Sequence, residues 1–257
     1  MRIEIATAPG DPARPNEDFA SVAVPASGQG GTLVVLDGVT PPVGESGCLH
    51  TVPWFTARLG GALGELSVSR GDLTLREVLG DAIRRTADVH RDTCDLSHVR
   101  TPQATVVLAR WDDERVEYLV LSDSVLLVED AGGAVSAVLD DRLDRMPRET
   151  LRSVRATDGE LRNKEGGFFT AAADPDVVRR AVVGELSRER VRALAAMTDG
   201  ASRWVERFRF GGWGECLSSL HKEGAQGLVD AVREAERADS PSRGKRHDDA
   251  TVAYVVL

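Results

Sequence analysis

The chain has 257 residues, enough for one large domain or two small ones with a substantial hydrophobic core. Its formal net charge of −9 argues against a general nucleic-acid-binding protein, which needs an excess of lysine and arginine. No apolar run approaches the roughly 20 residues of a membrane span, and residues 1–5 alternate like a strand rather than resembling a signal peptide. We therefore expect a cytoplasmic protein that binds neither nucleic acid nor membrane.

Apolar runs bounded by turn residues predict strands along the whole chain. The predicted strands are 2–8, 18–25, 31–37, 103–111, 115–121, 124–130, 133–139, 167–173, 191–198 and 250–257. Periodicity of three and four residues predicts helices over 46–66, 74–92 and 215–237, and Asp174-Pro175 is typical of the start of another helix, through about 183. The strands come in runs, with the helices grouped between them, which favours antiparallel sheets covered by helices over a parallel doubly wound fold.

An acidic residue stands at the edge of a short apolar run in five stretches of the chain. These residues are Glu17 with Asp18, Asp37, Asp123, Asp199, and Asp248 with Asp249. A half-buried carboxylate is costly unless a positive charge meets it, and hard divalent cations prefer oxygen ligands. The recurrence therefore suggests that these carboxylates share a cluster of divalent cations.

Each acidic element also has a simpler interpretation. Asp37-Gly38 and Asp199-Gly200 are pairs that hairpin turns favour. Asp123 fits a solvated turn, Asp248-Asp249 could cap a strand at the surface, and Glu17-Asp18 could be the polar entry to a strand. The joint occurrence in this order is what favours the cation cluster.

This order resembles that of the type 2C metal-dependent serine/threonine protein phosphatases over essentially the full length. The matching segments are Arg14…Glu17-Asp18, Asp37-Gly38, Ser122-Asp123-Ser124, Thr198-Asp199-Gly200 and Asp248-Asp249-Ala250-Thr251. The resemblance implies an α+β fold with one domain over residues 1–257. It would be a four-layer α/β/β/α sandwich, in which helices flank two central antiparallel sheets.

The resemblance also implies a set of metal ligands. Asp37 would bridge two Mn²⁺ or Mg²⁺ ions, and the carbonyl group of Gly38 would complete one coordination shell. Asp199 and Asp248 would bind the other ion. Asp123 would join Asp199 in a third, weaker ion site.

Four further residues would support this centre, by the same resemblance. Glu17 and Asp18 would hold waters bound to the ions, and Asp249 would orient the ligands from behind. Arg14 would grip the phosphate, a task that suits a planar bidentate donor better than a lysine.

The implied activity is dephosphorylation of phosphoserine and phosphothreonine proteins by a hydroxide bridging two divalent ions, without a phosphoenzyme. We expect a monomer, in which residues 140–166 form a mobile flap beside the site. The chain continues the first Asp-Gly with Val39-Thr40, where family members often have a histidine. This departure leaves open an alternative, a catalytically weak phosphatase-like regulatory or binding module.

Cysteine chemistry is another alternative. Cys94 and Arg100 have the Cys-x5-Arg spacing of cysteine-dependent phosphatases, but the loop between them lacks glycine and Asp95 would repel both thiolate and phosphate. An ordinary thiol at a helix C-terminus is the favoured interpretation. The three cysteines match no zinc spacing, and the five histidines form no pair at helical spacing, so we expect no cysteine–histidine metal site.

Overall fold

The computed structural model describes residues 1–42, 44–147, 151, 157–239 and 246–257. Within these residues, ten strands form two five-stranded sheets in which all neighbouring strands are antiparallel. The strands are β1 (Arg2–Ala8), β2 (Phe19–Ala23), β3 (Gly31–Leu36), β4 (Val106–Trp111), β5 (Arg115–Leu121), β6 (Val125–Asp130), β7 (Val135–Val138), β8 (Val182–Ser187), β9 (Val191–Met197) and β10 (Ala250–Val256). The first sheet has the order β1-β10-β9-β6-β7, and the second has the order β2-β3-β4-β5-β8.

Helices cover the outer face of each sheet. Helices α1 (Val52–Ser69) and α2 (Leu75–His90) pack on the second sheet, and α3 (Asp199–Glu206) and α4 (Trp213–Ala238) pack on the first. A capping box begins α2, where the Thr74 side chain accepts from the Glu77 amide and the Glu77 carboxylate accepts from the Thr74 amide. None of the helices within the described ranges is long and apolar enough to cross a membrane.

The alternation of side chains along β3 shows how the layers are built. Leu33 and Val35 belong to the core between the two sheets, whereas Val34 and Leu36 pack with α1 and α2. All four side chains are fully buried, because successive residues of a strand face opposite sides of its sheet and both sides are covered. The predicted four-layer sandwich of two antiparallel sheets between helices is confirmed.

Some predicted elements differ from the structure. The strand predicted over 167–173 is wrong, since Phe168 and Ala171 form only isolated bridges. The helix predicted through about 183 is a short 3-10 helix, Pro175–Arg180, which leads into β8. The first helix begins only at Val52, because Gly47, with φ of 71°, belongs to the preceding loop. Helix α3 was not predicted, since its eight residues are too few for a clear periodicity.

Candidate metal centre and active site

A cavity of about 300 Å³ lies where strand ends of the two sheets meet. Four acidic residues line it, each from a different connection. Asp37 follows β3, Asp123 lies between β5 and β6, Asp199 is the first residue of α3, and Asp248 precedes β10. Gly38 lines the same cavity. The fold therefore brings the predicted metal ligands of the acidic cluster together.

Burial and mutual repulsion disfavour the charged forms of these carboxylates. Burial raises the pKa of Asp37 well above its ordinary value, and the charges of Asp199, Asp18, Asp123 and Asp248 raise it further. Burial, followed by the charges of Asp123 and Asp248, raises the pKa of Asp199 to about 7. Divalent cations relieve both effects. Their positive charge replaces the lost solvation of the carboxylates and offsets the repulsion between them.

Asp18 lies beside these carboxylates, just before β2. Its Oδ2 atom accepts hydrogen bonds from Thr251 Oγ1 at 2.7 Å and Thr198 Oγ1 at 3.0 Å. Its buried Oδ1 atom has no hydrogen-bond partner among the described residues. Burial raises the pKa of Asp18 to about 8, and Asp249 and Asp199 add to the effect. An orphaned carboxylate oxygen of this kind fits a cation or its water.

A second cavity, of about 230 Å³, adjoins the first, since Thr40 and Asp248 line both. Arg14 and Glu17 line this second cavity, not the first. The Arg14 side chain is exposed there and has no ion-pair partner in the described part of the chain. Glu17 accepts a hydrogen bond from Thr40 Oγ1 at 2.5 Å. The predicted phosphate-gripping arginine thus stands next to the acidic cavity rather than in it.

Asp249 joins the segment before β2 to the segment before β10. Its two carboxylate oxygens accept hydrogen bonds from the amides of Gly10, at 2.7 Å, and Glu17, at 2.6 Å. Asp249 lines the second cavity, and these contacts fix the backbone of the two segments that border it.

Glycine is needed at both Asp-Gly pairs because backbone segments approach each other closely. A Cβ atom on Gly38 would overlap the carbonyl oxygen of Glu17, and one on Gly200 would overlap that of Asp249. Neither glycine has a positive φ, which a type I′ hairpin turn requires at both central residues. The hairpin interpretation is therefore wrong at both positions.

Arg162 is a site residue that the sequence did not single out. It is the one positively charged side chain among the described residues that line the acidic cavity. Its Nε atom lies 3.7 Å from Asp158 Oδ1, and its guanidinium group lies 4.9 Å from the centre of the Phe168 ring. It belongs to a polar segment with several arginines, so composition alone did not distinguish it.

The predicted flap, 140–166, borders the site where it is described. Leu143, Leu151, Thr157 and Arg162 line the acidic cavity. Residues 148–150 and 152–156 lie outside the described residues. These four residues lie beside the site, and the flap with its mobility stays a prediction.

Comparison with known proteins gives the family. The family model described as protein phosphatase 2C matches residues 13–234. A comparison with curated proteins finds no match. The chain belongs to the protein phosphatase 2C family, as its acidic motifs predicted.

Solved structures share the fold. The serine/threonine phosphatase Stp1 from Staphylococcus aureus has a TM-score of 0.65 at 14% identity, over 99% of this chain and 94% of that one. The catalytic domain of the serine/threonine protein phosphatase PstP, in complex with two manganese ions, has a TM-score of 0.59 at 16% identity, over 98% and 96%. Serine-threonine phosphatase 2C from Toxoplasma gondii has a TM-score of 0.61 at 16% identity, over 99% and 94%.

The chain is accordingly a metal-dependent serine/threonine protein phosphatase, and dependence on Mn²⁺ or Mg²⁺ is characteristic of its family. Its own donor set fits these ions. The cavity offers carboxylate and backbone oxygens, the ligands of hard divalent cations, and no cysteine or histidine among its described lining residues.

Proposed function

We propose that Asp37, Asp199 and Asp248 hold two divalent ions in the acidic cavity, with the Gly38 carbonyl group as a further ligand. Asp123 and Asp199 hold a third, weaker ion. The convergence of these side chains on one cavity is the observation that carries this proposal. Bound there, the ions would make water a nucleophile near neutral pH and offset the charge of the phosphoryl oxygens.

The remaining residues position water and substrate in this proposal. Asp18 directs its unpartnered Oδ1 atom at an ion or its water, and Glu17 orients water at the boundary of the two cavities. Arg14 and Arg162 bind the phosphate from two sides, one from each cavity. The Thr40 hydroxyl group donates a hydrogen bond to Glu17, so it is not placed to protonate the leaving group. The leaving group receives its proton from water.

The substrate in this proposal is a phosphoserine or phosphothreonine side chain in a protein. The described flap residues line the acidic cavity, so we expect them to contact the peptide on either side of the phosphate. We place the protein in the cytoplasm, which its free cysteines support, since thiols persist in reducing compartments. We expect it to be a monomer. Light scattering of the purified protein measures its oligomeric state.

Hydrolysis of a phosphothreonine peptide with and without Mn²⁺ tests the proposal. Asp37→Asn and Asp199→Asn should abolish metal-dependent turnover, whereas Asp113→Asn, in an exposed turn outside both cavities, should leave it unchanged. Arg162→Met should raise KM for the peptide, because it removes a cation from the cavity. Phosphopeptide binding without turnover in the wild-type protein would support the binding module instead.

A further inference from the structure

A second cluster of metal-binding side chains lies outside the acidic cavity. Cys48, His50, His90 and Cys94 each offer one ligand atom, and all four atoms lie within 4.8 Å of one another. The first pair belongs to the loop before α1, and the second pair belongs to the last residue of α2 and the turn after it. The sequence predicted no cysteine–histidine metal site, yet the fold brings these four side chains together.

The distances within the cluster fit a tetrahedral metal site. Cys48 Sγ lies 3.5 Å from His90 Nδ1 and 3.7 Å from His50 Nδ1, and Cys94 Sγ lies 3.4 Å from His50 Nδ1. Zinc bonds of about 2.3 Å to sulfur and about 2.0–2.1 Å to nitrogen, at tetrahedral angles, put such atoms about 3.6 Å apart. The two sulfurs are 3.1 Å apart and both thiols are free, so an ion would separate them by about 0.7 Å.

The surroundings stabilise thiolates and cover one side of the cluster. The backbone amides of Leu49 and His50 donate to Cys94 Sγ, at 3.3 Å, and Cys48 Sγ, at 3.4 Å. The Trp54 ring stacks on the His50 ring, with 3.9 Å between their centroids, and its centroid lies 5.1 Å from that of His90. His90 is only 2% exposed. Amide donors and an apolar cover are features of structural metal sites, where they tune the ligands and limit access of water.

One thiol is already prepared for binding. Burial opposes ionisation of Cys94, but hydrogen bonds from Cys48, the Leu49 amide, Thr93 and His50 outweigh it and lower the pKa of the thiol to about 5. Metal ligands must be deprotonated, so these hydrogen bonds favour the form of Cys94 that binds a cation.

We propose that Cys48, His50, His90 and Cys94 bind one Zn²⁺ in a closed, structural site. Two thiolates and two imidazoles in tetrahedral array select zinc, whereas the carboxylate cavity selects Mn²⁺ or Mg²⁺. The ion joins the loop before α1 to the end of α2. The same loop begins at Asp37-Gly38 and carries Thr40, so the zinc site fixes the far end of a segment that lines the acidic cavity.

Metal analysis of the wild-type protein tests the proposal directly. Protein purified without chelator should contain one zinc ion per chain, as measured by elemental mass spectrometry. Replacement by Co²⁺ should give the intense d–d bands of tetrahedral cobalt together with thiolate-to-cobalt charge transfer, which an oxygen site does not produce. The proposal would be overturned if the protein contained no zinc and showed no charge-transfer band on adding Co²⁺. A Cys48–Cys94 disulfide, detected in the intact mass of the protein, would also overturn it.

Variants locate the ion and separate the two metal sites. Cys94→His should retain cobalt but lose about half of the charge-transfer intensity, because one of two thiolates remains. Cys216→Ala, which removes the buried thiol of α4, should leave the spectrum unchanged. Asp37→Asn should also leave it unchanged, so failure of the phosphatase proposal would not affect the result. A spectrum insensitive to Cys94→His would contradict the zinc site.

Discussion

Arg203 Nη2 lies 3.1 Å from Asp248 Oδ2, so the guanidinium group partly neutralises the carboxylate of one proposed metal ligand. The same guanidinium donates to Glu236 Oε1 at 2.5 Å, and Glu236 is fully buried. Arg233 donates to the other oxygen of Glu236, at 2.6 Å, and to the backbone carbonyl of Asp248, also at 2.6 Å. His247 Nδ1 completes the network 2.9 Å from Glu236 Oε2. This buried network positions Asp248.

Glu236→Gln should weaken both stability and metal binding. It removes the carboxylate charge that Arg203 and Arg233 share in a largely buried network, and breaking a buried ion pair by removing one partner costs roughly 3–5 kcal/mol. Arg203 would then compete for Asp248, and loss of a group that orients a ligand lowers metal affinity by about 10–100-fold. Urea unfolding and Mn²⁺ titration measure the two effects, with Glu234→Gln, exposed on the same helix, as the control. Equal Mn²⁺ affinity in both variants would contradict the positioning role.

Asp18→Asn should weaken Mn²⁺ binding without destabilising the metal-free protein. The amide oxygen can accept from Thr198 and Thr251 as Oδ2 does, while the change removes one negative charge from the acidic cluster. We therefore expect Mn²⁺ affinity to fall by about 10–100-fold. At about pH 8.5 the melting temperature of the metal-free protein should rise, because the substitution removes one of the carboxylate charges that repel each other at that pH. An unchanged Mn²⁺ affinity would exclude Asp18 from the metal centre.

The stability of the metal-free protein should fall as pH rises. Asp18 and Asp199 have folded-state pKa values of about 8 and about 7, against an unfolded value near 3.9 for aspartate. Between these limits the folded state holds protons that the unfolded state has released, so the stabilisation present below about pH 4 is lost as pH rises through about 8. Carboxylates with lowered pKa, such as Glu236, act in the opposite sense near pH 4.

Mn²⁺ should remove this loss, because the ion takes the place of the protons. Thermal unfolding at pH 5.5 and pH 8.5, with and without Mn²⁺, measures it. The Asp18→Asn and Asp199→Asn variants should show a flatter pH profile without metal. Metal-free stability that increases steadily from pH 5.5 to pH 8.5 would show that these carboxylates are not protonated in the folded protein.

Two adjacent glycines in α1 should respond oppositely to alanine. A Cβ atom on Gly60 would overlap the Phe19 ring, whereas one on Gly61 would meet nothing within 4 Å. Gly60→Ala should destabilise the protein by about 1–3 kcal/mol through overpacking. Gly61→Ala should stabilise it by about 0.5–1 kcal/mol, since glycine inside a helix is unfavourable. Urea unfolding of the pair measures both, and equal effects would contradict the packing of α1 on β2.

The sequence predicted the fold and the members of the acidic cavity well, because they depend on local patterns. Buried runs such as Val34 to Leu36 identify strands, and an acidic residue at the end of each run identifies the edge where the strand ends gather. The glycines of the Asp-Gly pairs were recognised, but their physical role was not. Close approach to Glu17 and Asp249 depends on segments far away in the chain.

Features that depend on distant segments were missed. Cys48 and Cys94 are separated by 46 positions, and each pairs locally with a histidine rather than with another cysteine, so a search for Cys-Cys or His-His spacing could not find them. Arg162 gained its importance only from the acidic cavity that it lines. The edge strand β8 was missed because a proline and an N-cap aspartate precede it, a local pattern that predicts a helix.

Anomalous diffraction from a crystal soaked in Mn²⁺ tests the central claim most directly. The account predicts two manganese peaks in the acidic cavity, within about 2.0–2.3 Å of carboxylate oxygens of Asp37, Asp199 and Asp248, with Asp37 shared between them. Manganese absent from the cavity, or bound without contact to Asp37, would contradict it.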